Sequence, residues 1–217
     1  MFWYSLAIYF YLARKLQSPD SKTYPHSIIH CITAAIANTY ILFWVMNKNI
    51  LSSNVINDIS LLSNTNHISY LRYSTLHSLG YFVADTLDIL IDYYDVPRKR
   101  VYLLHHLFSI AGISTLYWNS YLSTYALWSL EIGGIVYHLK YYANESDSKI
   151  LKIVSLILYH VVYVITRILV FNNTTKYAFN GDSLSIVKIV NLGVGYGLLV
   201  QNGIWWVKNI KKSLSTK

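Results

Sequence analysis

A single cysteine, Cys31, excludes an internal disulfide and leaves the redox compartment unmarked. Three prolines, and the lack of any Ser/Pro or Gly/Ser tract, argue against a linker and against a second domain. Charge is scarce as well: Asp, Glu, Lys and Arg make up 13% of the 217 residues, about half the soluble share. There is no P-loop, no Gly-x-Ser-x-Gly elbow and no dinucleotide fingerprint, so the commonest nucleotide and serine-hydrolase signatures are missing. The net charge of +8 is spread over short segments and forms no basic stripe on a helix, which removes nucleic acid from the expected partners.

What the chain has instead is long apolar runs: Met1 to Ala13, His26 to Met46, Ser74 to Ile91, Val101 to Trp118, Thr124 to Tyr142, Ile150 to Phe171 and Leu184 to Val207. Most approach the length of about 20 residues that a helix needs to cross a bilayer core. The gaps between them alternate in charge. Arg14, Lys15, Lys22, then Arg98, Lys99, Arg100, then Lys140, Lys149, Lys152, and the tail cations Lys208, Lys211, Lys212 and Lys217 fall on one side. Only Lys48, Arg72 and Lys176 fall on the other, and Arg167 and Lys188 lie inside runs. The positive-inside rule puts the richer side, and the carboxyl terminus, in the cytosol. Tyrosines and tryptophans crowd the run ends, as interfacial belts do.

These patterns predict an all-α, multi-pass transmembrane bundle of six or seven spans around a polar central cavity. The count depends on the first run, which is short for a span. It lacks a positive start and a small-residue cleavage site, so it reads as an anchor and not as a cleaved signal. The domain organisation is then a short amino-terminal anchor run and loop over 1–23, a transmembrane domain over 24–207 and a basic cytosolic tail over 208–217. Asn47 to Tyr70 reads as the longest outside loop, with His67 in it. Asn172 and Asn173 open glycosylation sequons in a predicted outside gap, and Asn144 opens one in a predicted cytosolic gap.

The cavity is inferred from the polar residues inside the runs. Each ionisable group at the centre of a lipid span costs about 2.5–3.5 kcal/mol on insertion scales, so such groups must face one another. At helical spacing His77, Tyr81, Asp85 and Asp88 fall within a stripe of about 80°. Glu131 and His138 share a face of the fifth run, Tyr163 and Arg167 of the sixth, and Lys188 and Asn202 of the last. His26 and His30 align on the second. The fourth adds the adjacent pair His105 and His106. Histidine and carboxylate side chains in this arrangement could supply a general base, a nucleophile or a metal ligand, with His30, His77, Tyr81, Asp88, His138, Arg167 and Lys188 as the cavity lining. The alternative is a structural hydrogen-bond network that fixes helix packing. No metal site is expected: the histidines are too few and too scattered for the boxes of membrane di-iron oxygenases. Val194-Gly195-Tyr196-Gly197 matches part of a potassium-channel filter but has no separate pore helix before it, so it reads as close helix packing.

Arg98-Lys99-Arg100 running through Val101-Tyr102-Leu103-Leu104 into His105-His106 resembles the segment of the TLC-domain family in which basic residues precede a helix with a histidine pair. His77-Ser78-Leu79-Gly80-Tyr81-Phe82-Val83-Ala84-Asp85 resembles a signature of the small members, and Glu131, the His26 to His30 segment and Arg167 are similar to residues they carry. The family includes ceramide synthases, translocating-chain-associating membrane proteins and small lipid-homeostasis proteins. The resemblance implies an endomembrane protein, typically of the endoplasmic reticulum, with a lipid-accessible cavity and membrane lipids as partners, among them a sphingoid base or a phospholipid. It implies lipid binding or regulation, with an N- or O-acyltransferase using acyl-CoA as co-substrate as the alternative and His105, His106, Asp85 and Glu131 as its catalytic candidates; the in-span residues Asp85, Asp88, Arg167 and Lys188 support a transporter or channel as a second alternative. No bound cofactor is expected. Ceramide synthases follow the histidine pair with a His-Asp and a further Asp one helix later, where this chain has Leu130-Glu131-Ile132-Gly133-Gly134.

Overall fold

In the computed structural model the described residues are 1–16, 24–45, 65–92, 94–116, 120–179 and 186–215, and all their regular structure is helical. Among the described residues seven continuous helices form. Helix α1 is Phe2–Leu16; α2 is Pro25–Tyr40, continued by a wider π turn over Ile41–Val45; α3 is Thr65–Asp92; α4 is Pro97–Leu116; α5 is Ser120–Glu145. Helix α6 runs as Lys149–Tyr163, a π segment Val164–Val170 and a last stretch Phe171–Phe179, and α7 is Ile186–Ser215. Each helix overlaps one of the seven apolar runs.

Local chemistry sets several starts. Proline opens α2 and α4, where its missing N–H is lost at no cost and its fixed φ already suits a helix. Ser148 caps α6: its backbone is extended and its hydroxyl accepts from the Leu151 amide at 3.2 Å. Helix α3 starts at Thr65, earlier than the apolar run suggested, so 65–70 belong to a helix and not to the expected loop. His67 lies in that helix, with its side chain outside the described residues. Asn172 and Asn173 are also helical, on the last stretch of α6, with Thr174 and Thr175 buried and hydrogen-bonded to Val170 and Phe171 carbonyls.

The helices are arranged as a ring with one attachment. Contacts close the circuit α2, α3, α4, α7, α6, α5 and back to α2, while α1 packs outside it, chiefly on α3. That docking is tight: a Cβ on Gly80 of α3 would come within 2.7 Å of Ser5 Cβ and 2.8 Å of the Phe2 carbonyl oxygen. Tyr9 anchors the interface, packing with Tyr81, Phe82, Ala84, Ile113 and Leu127. Arg14 closes its end through Asp92, at 2.9 Å.

The distribution of side chains is the reverse of a water-soluble bundle. On α6, Ile150, Ile153, Ile157, Val161 and Leu169 all point outward and are exposed. His26, His30, Asn38, Asp88 and Asn202 are fully buried. An aliphatic exterior over a polar interior is the arrangement that hydrocarbon surroundings reward. By length and composition, two helices among the described residues are apolar enough to cross a membrane: Pro25–Phe43, of mean hydropathy 1.3, and Lys149–Lys176, of mean hydropathy 2.1. Helices α3, α4, α5 and α7 have 28, 20, 26 and 30 residues and so have the length. They miss the apolar criterion, and most of them bring polar side chains into the ring, as Asp85, His105, His106 and Glu131 do.

Candidate functional site

The ring encloses a cavity of about 70 Å³, and all six of its helices reach it. Helix α2 gives Ser27 and Cys31, α3 Tyr81 and Asp85, α4 Tyr102, His105 and His106, α5 Glu131, Tyr137 and His138, α6 Arg167 and α7 Trp205. Helix α1 gives none. At about 10–15 Å³ for a water molecule, this is room for a few waters or for one small polar group.

Two carboxylates organise the walls, and both are held by histidines of α2. His26 and His30 are one turn apart and so emerge on the same face. His26 Nε2 lies 2.9 Å from Asp85 Oδ1, on α3, and His30 Nε2 lies 3.3 Å from Glu131 Oε1, on α5. The second Asp85 oxygen lies 3.2 Å from His106 Nε2 and accepts from the Tyr81 hydroxyl at 3.4 Å. A carboxylate only accepts, so His26 donates its Nε2–H to it. Asp85 thus stands between His26 and His106, with the Nε2 edge of His106 turned toward it. Tyr81 also donates to Ser27 Oγ at 3.0 Å, and its ring stacks on His30 with centroids 3.8 Å apart.

Glu131 faces a second arrangement built on Arg167. That side chain arises from the π segment of α6, where Thr166 binds back to the Val162 carbonyl. Arg167 Nε donates to the Leu130 carbonyl at 2.9 Å, and a terminal nitrogen donates to Asn202 Oδ1 of α7 at 3.3 Å. Tyr163 donates to the same Asn202 oxygen at 3.1 Å. Room for the guanidinium comes from glycine: a Cβ on Gly133 would sit 2.5 Å from Arg167 Cγ, and one on Gly134 would sit 3.0 Å from an Arg167 nitrogen and 2.6 Å from Cys31 Sγ. Hydrogen-bonded in this way, the buried guanidinium recovers part of the desolvation cost it would carry without partners.

Of the predicted catalytic residues, His105, His106, Asp85 and Glu131 all line the cavity. Of the predicted lining, Tyr81, His138 and Arg167 do so, and His30 stands immediately behind, on Glu131. His77 and Asp88 do not. His77 turns to α1, with Ser5 Oγ at 3.0 Å from Nδ1 and the Tyr9 hydroxyl at 3.0 Å from Nε2, and buried Asp88 faces Arg14 at 4.0 Å. The stripe on α3 is wide enough to serve two neighbours, and α1 takes part of it. The Lys188 side chain, like those of Arg98, Lys99 and Arg100, lies outside the described residues. Lys140, counted above with a basic gap, is instead buried on α5, bonded to Asn209 and 4.5 Å from the Tyr159 ring. Sequence reasoning left Ser27, Cys31, Tyr102, Tyr137 and Trp205 out of the site; His26 was signalled by its one-turn spacing from His30, and Asn202 by its place on the polar side of α7.

The TLC domain family model, which takes in the TRAM, LAG1 and CLN8 proteins, matches residues 23–211. The chain therefore belongs to the TLC domain family, a family of membrane proteins with lipid-related functions. The match covers the six-helix ring and leaves α1 outside it. Neither a curated protein nor a solved structure gives a match.

Proposed function

We propose that this protein is a multi-pass endomembrane protein, with the ring helices and α1 as six or seven spans, that acts in membrane lipid homeostasis by taking the polar head of a membrane lipid into the central cavity. The observation that carries the reading is the meeting of Asp85 with His26 and His106 on the wall of a cavity to which all six ring helices contribute. The cavity has room for an amine or hydroxyl head, and the aliphatic exterior suits acyl chains. The endoplasmic reticulum is the proposed location, with the carboxyl terminus cytosolic.

A second reading is acyl transfer, favoured by the Asp85–His106 pair. His106, oriented by Asp85, would take the proton of an amine or hydroxyl as that group attacks the thioester carbonyl of an acyl-CoA. The C–S bond then breaks, and the proton passes to the leaving thiolate. Base catalysis of this kind contributes about 10²–10⁴ in rate.

Lipid profiling of cells lacking the protein, or expressing the wild type or the His105→Ala/His106→Ala double variant, tests both. A shift caused by the wild type and kept by the variant refutes transfer; a shift lost in a variant that accumulates in the membrane and still binds the lipid supports transfer over binding alone. Identical profiles in all three refute both.

A further inference from the structure

A second cavity, of about 190 Å³, opens between α5 and α7, lined by Tyr137, Tyr141, Trp205, Lys208 and Asn209. None of these five is acidic. Tyr137 and Trp205 also line the central cavity, so their rings, with centroids 6.4 Å apart and planes 25° from parallel, form the partition between the two. Hydroxyls cross that partition: Tyr102 and Tyr137 are 3.0 Å apart, and Tyr137 donates to Tyr141 at 3.5 Å. Because Tyr141 accepts in this chain, its own proton is directed elsewhere.

Positive charge converges here from two helices. Lys208 lines the opening and is exposed. Lys140 is buried behind Asn209, to whose Oδ1 its ammonium donates, and Asn209 is fixed by donating from Nδ2 to the Trp205 carbonyl at 2.8 Å. Two ammonium groups, a phenol and no acidic lining side chain make a setting for a compact anion with several acceptor oxygens.

We infer that this outer cavity seats a phosphate monoester whose remaining part reaches toward the central cavity past Tyr137 and Trp205. The inference rests on the lipid reading above and extends it to the charge of the ligand. The phosphate could belong to a lipid head group or to a coenzyme A carrier, and the experiment separates these sources.

The full chain in neutral detergent micelles is titrated with dioctanoyl phosphatidic acid and with coenzyme A, with dioctanoylglycerol as the phosphate-free control. At least one phosphate probe binds more tightly than dioctanoylglycerol, and Lys208→Gln weakens it about tenfold, the loss expected for one charge-assisted contact. Lys211→Gln, an exposed lysine on the same helix outside the cavity, changes binding less than twofold. Binding of phosphatidic acid identifies a lipid source and binding of coenzyme A a carrier; either supports the seat. Binding of neither, binding that Lys208→Gln leaves intact, or equal losses in the two lysine variants overturns it. Failure here with a lipid shift kept in cells refutes this inference alone, and phosphate binding without any lipid shift refutes the proposed function alone.

Discussion

Gly133→Ala puts the Arg167 arrangement to a test whose sign is diagnostic. In a helix interior, exchanging glycine for alanine stabilises by about 1 kcal/mol when nothing obstructs the methyl group. At Gly133 the new Cβ would stand 2.5 Å from Arg167 Cγ, 2.8 Å from Thr166 Oγ1 and 3.0 Å from Arg167 Cδ, where relaxed carbon contacts need about 3.5–4.0 Å. Either α5 and α6 separate, or the Arg167 stem moves and strains its bonds to Leu130 and Asn202. Overpacking costs about 1–3 kcal/mol, and weakening a charged hydrogen bond adds to that, so the net change is a loss of about 1–3 kcal/mol despite the favourable propensity. Gly203 on α7 is the control, because a Cβ there meets nothing within 4 Å. Thermal unfolding in micelles can be followed with a thiol-reactive fluorogenic dye, since the only cysteine, Cys31, is buried until the bundle opens. At about 2–4 °C per kcal/mol for a chain of this size, Gly203→Ala raises the midpoint by up to about 4 °C and Gly133→Ala lowers it by several degrees. Equal increases in both would refute the placement of Arg167 across Gly133.

The attachment of α1 makes two further predictions. Tyr9→Phe removes the hydroxyl that meets Thr33 at 3.1 Å and His77 at 3.0 Å, and lowers stability by about 1–2 kcal/mol in the same unfolding assay, whereas Tyr11→Phe, on the exposed side of α1, has no effect. Arg14→Gln removes the pair with Asp92 and leaves buried Asp88 without that cation; because Arg14 is 42% exposed the loss is about 1 kcal/mol, and Asp88→Asn added to that variant restores the midpoint.

The seven helices of the described residues were legible because seven apolar runs are separated by polar gaps, and helical spacing placed His105, His106, Asp85 and Glu131 on faces that meet. Partner choice was not. Periodicity says which residues of α3 share a face but not which helix they face, so it could not divide Asp85, which goes to α2 and α4, from His77 and Asp88, which go to α1. Lys140 shows the same limit from the other side: near the end of an apolar run a lysine reads as a loop cation, and only its packing against Tyr159 and Asn209 reveals that it is buried. Helix ends were the least legible feature. The start of α3 at Thr65 lies in an Asn/Ser-rich stretch with no strong periodicity, so no local pattern marks it.

The account depends on ionisable side chains of separate helices meeting inside the ring, and a double-mutant cycle on His26 and Asp85 measures that directly. Unfolding free energies of His26→Ala, Asp85→Ala and the double variant, read through Cys31 labelling, yield the coupling between α2 and α3. A charge-assisted contact of 2.9 Å predicts a coupling of about 1.5–3 kcal/mol. Losses that add to within about 0.5 kcal/mol would mean that the two side chains do not meet, and would contradict the site as described.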